Sequence, residues 1–180
     1  MDKFNIDIFT SKLAIGSLWI VSIFLFTCGF YNIYPFVENL SNTKTWTAIV
    51  TIPVLIFSYV IGSIVIHLSK TYIFPISKTS SDEIFNFIKI SQENNQYLIK
   101  RYEETQYQYD FFSATIPTCI FLGVSVVWGA IRVLSSNIVL EYTLVILGLL
   151  TVSSSFILKF VIRDLKNSLN ILVKSIDTTV

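Results

Sequence analysis

Apolar residues are gathered into four long blocks along this chain, with polar segments between them. Leu13 to Tyr34 runs 22 residues without a charge, and Trp46 to Leu68 runs 23. A third block extends from Phe111 to Ile131 and is closed by Arg132. The fourth runs from Tyr142 to Leu158, meets Lys159, and resumes as Phe160-Val161-Ile162. A helix needs about 20 apolar residues to cross the hydrocarbon of a bilayer. The pattern therefore predicts four transmembrane helices, at approximately 13–34, 46–68, 111–132 and 140–162, in a single membrane domain covering 1–180. The fourth reaches full length if Lys159 snorkels to the surface along its own aliphatic stem. The first block is longer than the roughly 7–15 residues of a signal-peptide core, and Gly29-Phe30-Tyr31 is a poor cleavage context. It is read as a retained span.

The polar segments carry helical signals of their own. Ser80 and Glu83 have capping-box spacing, and from Asp82 to Ile116 there is neither Gly nor Pro. A helical segment over 80–110 is expected. Its apolar stripe is Ile84, Ile88, Leu98, Tyr102 and Tyr109, interrupted by Ser91, Asn95 and Thr105. Such a segment either runs straight into the third span or turns within Ser91–Gln96 to make a hairpin. In the arm 163–180, Leu165, Leu169, Leu172 and Ile176 recur at i, i+4, i+7 and i+11, one face of an amphipathic helix. That helix can extend the fourth span, pair with the central stripe of this or another subunit, or lie on the membrane. The predicted class is an all-α polytopic membrane protein: four transmembrane helices, a helical cytosolic extension between the second and third, and an amphipathic C-terminal helix.

Composition agrees, and charge adds orientation. Charged residues are 14% of the chain and hydrophobic ones 53%, against about 25% charged in soluble domains. The net charge of +1 gives no reason to expect nucleic-acid binding. Eleven Lys and Arg fall in the N-terminal arm, the segment between the second and third spans, and the C-terminal arm, whereas only Lys44 and Arg132 fall on the other side. By the positive-inside rule both termini and the long loop are cytosolic, which in a bacterium means a multi-pass protein of the inner membrane.

Candidate chemistry is sparse. No ionisable residue lies near the centre of a span, which disfavours proton-coupled transport and voltage sensing. His67 is the single histidine and has no Cys, Asp or Glu within ten residues. Cys28 and Cys119 sit inside apolar blocks as buried thiols. No catalytic, cofactor or metal-binding constellation is recognisable, so no enzyme is expected. Ser58-x-x-x-Gly62, Ser125-x-x-x-Gly129 and Gly148 are candidate positions for close helix packing, within the chain or in a homo-oligomer. Pro53 and Pro117 interrupt two spans and are candidate kinks or hinges. Tyr107, Tyr109, Phe111 and Phe112 are expected as an interfacial aromatic belt. Candidate contacts to a soluble cytosolic partner are Ile84, Ile88, Leu98, Lys100, Arg101 and Tyr102, with Leu165, Leu169, Leu172 and Ile176 on the C-terminal arm. The alternative is a pore lined by Ser58, Ser63 and Ser153–Ser155.

Four spans with termini and a long loop inside resemble the plan of connexins and innexins, but those families carry paired cysteines in their outer loops and this chain has none there. Its length, four spans, helical extension at Asp82–Asp110 and amphipathic C-terminal arm resemble the small four-span membrane proteins of prokaryotic anti-phage systems, such as the membrane subunit of the Kiwa system. That resemblance implies an oligomer in the inner membrane that senses infection or recruits a soluble partner. It implies no role for any individual residue.

Overall fold

The computed structural model of this chain describes residues 6–31, 44–75, 88, 90, 96–133 and 138–177. Among these the protein is all-helical. Helix α1 is Ile6–Tyr31, α2 is Lys44–Leu68, α3 is Gln96–Val133 and α4 is Ile138–Asp177. A π-helical turn, Ser69–Ile73, follows α2 directly. All four helices are long and apolar enough to cross a membrane, over Ile8–Thr27, Thr51–Ile73, Gln96–Arg132 and Tyr142–Lys174.

The four helices form an open row rather than a closed bundle. Helix α1 packs between α2 and α3, and α4 packs along the far side of α3. The two flanking helices, α2 and α4, have no substantial contact with each other among the described residues. Helices α1 and α3 run parallel, since Ile15 packs near Ala114 while Leu25 lies beside Gly129. Helices α2 and α4 run opposite to them.

Three different seams join the row. Between α1 and α2, a Cβ added to Gly16 would collide with the Ser58 carbonyl, and one added to Gly62 would collide with the Lys12 carbonyl. Only glycine lets the two backbones approach so closely. Between α1 and α3 the seam is aromatic. Trp19 and Phe26 lie against Phe121 at ring separations of 4.7 and 6.3 Å, Phe26 also meets Trp128, and Trp19 Nε1 donates to Thr118 Oγ1 at 2.8 Å. Between α3 and α4 there is a second glycine crossing. A Cβ on Gly123 would stand 2.6 Å from the Gly148 carbonyl oxygen, and one on Gly148 would stand 2.9 Å from that of Gly123.

The distribution of side chains is that of a protein solvated by lipid. Ser22, Ser58, Ser113, Ser125 and Ser155 are buried, whereas Ile52, Ile56, Phe57, Leu150, Ile157 and Phe160 are exposed. Holding such side chains against water forfeits about 1.5–3 kcal/mol each; against acyl chains it costs nothing. The small hydroxyls are satisfied mostly within their own helices, as where Ser22 Oγ donates to the Leu18 carbonyl at 2.6 Å.

Helices α3 and α4 outrun the bilayer. At about 1.5 Å per residue their 38 and 40 residues reach roughly 57 and 60 Å, about twice the hydrocarbon thickness. From Gln96 onward the extension and the third span are one helix, and the C-terminal arm is an unbroken continuation of the fourth. A hairpin turn before Gln96 falls outside the described residues. The two overhangs pack on each other within the chain: Ile90, Tyr102, Tyr109, Ile116, Ile162 and Leu169 form one buried cluster, joined by half-buried Ile99, Leu165 and Val173.

This cluster alters two expectations. Tyr109 is 1% exposed and belongs to the core, not to a lipid-facing belt, because its ring sits in the groove between α3 and α4. The stripe that places Tyr102 and Tyr109 inward does not carry its phase back to residue 88: Ile88 is exposed and Ile90 is buried.

Candidate functional site

The most chemically varied part of the molecule is the end where α1 begins and α2 finishes. A cleft of about 530 Å³ opens there between α1, α2 and α3. Helix α1 contributes Ser11 and Lys12, the last turns of α2 bring Ser63 and His67, the π-helical turn adds Lys70, and α3 supplies Glu103, Gln106, Tyr107 and Asp110. Helical periodicity makes the placement on α3: 103, 106, 107 and 110 share one face, while 102 and 109 share the face turned to α4.

An ion pair crosses the cleft. Lys70 Nζ lies 3.5 Å from Asp110 Oδ2, with each side chain about one quarter exposed. Lys12 is half-buried and holds its ammonium over the Tyr59 ring, 5.2 Å from the centroid. The π-helical turn sets the Lys70 position. It is closed by the Phe74 N–H donating to the Ser69 carbonyl at 2.8 Å, and its extra residue reorients the chain as it leaves α2. The strap that follows is tied down twice: Tyr109 Oη donates to the Phe74 carbonyl at 2.6 Å, and Lys166 Nζ donates to the Pro75 carbonyl at 2.8 Å. The end of α2 is thus linked to both α3 and α4. Among the described residues no three His, Cys, Asp or Glu side chains gather as metal ligands.

No protein-family model, curated protein or solved structure matches this chain. What the site does must therefore come from its own geometry.

The structure distributes the candidate residues unevenly. Lys100 and Arg101 are exposed on the overhang of α3, where Arg101 donates to Tyr97 Oη at 3.0 Å and Lys100 lies 3.8 Å from Glu104. Tyr102 and Leu169 are each 2% exposed inside the shared cluster, so they hold the overhang together and offer a partner nothing. Leu98, Leu165 and Leu172 are half-buried, and Ile88 is exposed. Ile84 and the side chain of Ile176 lie outside the described residues.

Among the candidate packing positions, Ser58 and Gly62 face α1, and Gly148 faces α3. Gly129 lies near Leu25 with room for a Cβ at 3.5 Å, and Ser125 is fully buried with its hydroxyl unbonded. Pro53 and Pro117 lie within unbroken helices. Of the pore-lining candidates, Ser58 and Ser155 are buried in helix contacts, Ser153 is exposed and Ser63 lines the cleft.

Sequence reasoning did not single out the cleft, nor two glycines of the helix crossings. Gly16 and Gly123 complete the two glycine crossings, yet the residues four away, Lys12 and Ile20 for one and Cys119 and Val127 for the other, are not Gly, Ala, Ser or Thr, and a small-xxx-small search passes over them. Lys12, Lys70 and Asp110 stand at span ends in the sequence and Glu103 about two turns outside one, but their convergence depends on the order of helices in the row.

Proposed function

We propose that this protein is an oligomeric sensor or anchor of the bacterial inner membrane, one that presents its α3–α4 overhang to a soluble cytosolic partner, in anti-phage defence. The observation that carries the reading is the overhang itself. It is an antiparallel pair with its own buried cluster, continuous with two spans, and its outward surface carries Lys100, Arg101 and Glu104 on α3 and Arg163, Asp164 and Asn167 on α4, with Tyr97 and Ile171 exposed among them. A lever of that length is superfluous to a protein that only fills lipid. The excess of basic residues at this end supports a cytosolic placement. The defence setting is supported by the resemblance of plan alone, and the absence of an ionisable group at mid-span supports a role without ion coupling.

The test is capture and flux with the same preparation. A photo-crosslinking residue at exposed Glu104 should trap a discrete soluble protein from infected cells, and adding Lys100→Glu with Arg101→Glu should reduce the adduct at least about tenfold, the equivalent of one or two charge-assisted contacts. Liposomes holding the purified protein should stay impermeable to potassium. A conductive liposome with no trapped protein would favour the pore.

A further inference from the structure

We propose that the polar cleft binds the headgroup of an ethanolamine phospholipid, with its phosphate held by Lys12 and Lys70 and its ammonium by Glu103. The walls of the cleft are divided by sign. The α1–α2 side bears Lys12 and Lys70, and the α3 side bears Glu103 and Asp110. Lys70 and Asp110 meet across the cleft at 3.5 Å. Lys12 rests on an aromatic face, and among the described residues neither it nor Glu103 has an ion-pair partner. One cation and one carboxylate thus stand on opposite walls of the same cavity. The complement is a zwitterion. A purely anionic headgroup would satisfy Lys12 but set its charge beside Glu103 with nothing for that carboxylate to bind.

Depth points to a lipid over a soluble zwitterion. The apolar spans Ile8–Thr27 and Thr51–Ile73 take in Lys12, His67 and Lys70, so the cleft lies at the rim of the hydrocarbon, where bilayer phosphates lie. Its lining also includes Ile8, Ile66 and Phe111, apolar surface that the root of an acyl chain covers and a free metabolite leaves bare. The volume, about 530 Å³, falls within the roughly 300–1,000 Å³ of small-ligand sites. The inference rests on membrane embedding and is indifferent to whether a soluble partner exists.

Native mass spectrometry of the full chain in an exchangeable detergent tests it. Titration with palmitoyl-oleoyl phosphatidylethanolamine should give one retained adduct, bound about tenfold more tightly than phosphatidylglycerol, the worth of one charge-assisted bond. Lys12→Gln should weaken both lipids, Lys12→Arg should restore them, and Glu103→Gln should erase the preference for ethanolamine. Lys159→Gln, a cation outside the cleft, should change neither. Equal binding of the two lipids by the unmodified protein, or full binding by Lys12→Gln, overturns the proposal. Displacement of the lipid by equimolar soluble glycerophosphoethanolamine overturns the lipid as the source. Failure to trap a soluble protein leaves these readings untouched.

Discussion

Single residues matter most where two backbones touch. Gly16→Ala forces its new methyl into the Ser58 carbonyl, and α1 and α2 must separate; the expected loss is about 1–3 kcal/mol, as for overpacked cores. Gly129→Ala meets only an ordinary contact at 3.5 Å and should stay within about 0.5 kcal/mol of the parent. Thermal unfolding in detergent separates the two, and equal midpoints would contradict the α1–α2 seam. The Lys70–Asp110 pair is partly withdrawn from water. Asp110→Ala should therefore cost about 1.5–3 kcal/mol, the range for a hydrogen bond to a charged group. A double-mutant cycle with Lys70→Ala should recover most of that cost as coupling.

At the scale of elements, the overhang stands or falls as a pair. Leu169→Ala opens a cavity in the cluster that holds α3 to α4 and should cost about 2–5 kcal/mol of local stability. Amide exchange should accelerate over 163–177 while 142–158 stays protected, because the lower part of α4 is held by the Gly123–Gly148 crossing and by lipid. Uniform acceleration along α4 would refute a separable overhang. The helices were the legible part of the sequence: apolar blocks of bilayer length and a Gly- and Pro-free run give α1, α2, α3 and α4 from local pattern alone. The stripe containing Leu165, Leu169 and Leu172 also announced an apolar face, and of the three placements open to it the structure selects pairing with Tyr102 and Tyr109 of the same chain. Periodicity tells which residues turn inward and is silent on what they meet. For the same reason Tyr109 read as an interfacial aromatic, when its hydroxyl is spent on the Phe74 carbonyl.

At the scale of the whole molecule, placement across the bilayer is the decisive quantity. With both native cysteines replaced by serine, Lys100→Cys should react with a membrane-impermeant maleimide only after the cytosolic face is opened; labelling of intact spheroplasts would reverse the orientation and remove the proposed partner. The row order α2–α1–α3–α4 was not legible in the sequence, since four antiparallel spans fit an open row and a closed bundle equally well. Cations stacked on aromatic rings stand at both rims: Arg132 on Trp128 at 5.0 Å at one, Lys12 on Tyr59 and Lys159 on Phe156 at the other. From Asp110 to Arg132 the rise is roughly 33 Å, close to the hydrocarbon thickness of about 30 Å. The protein is consequently pinned in height as a float is pinned between two collars. It can pivot or drift sideways in the sheet of lipid, but it cannot bob, and any force applied at the far tip of α4 is delivered as tilt.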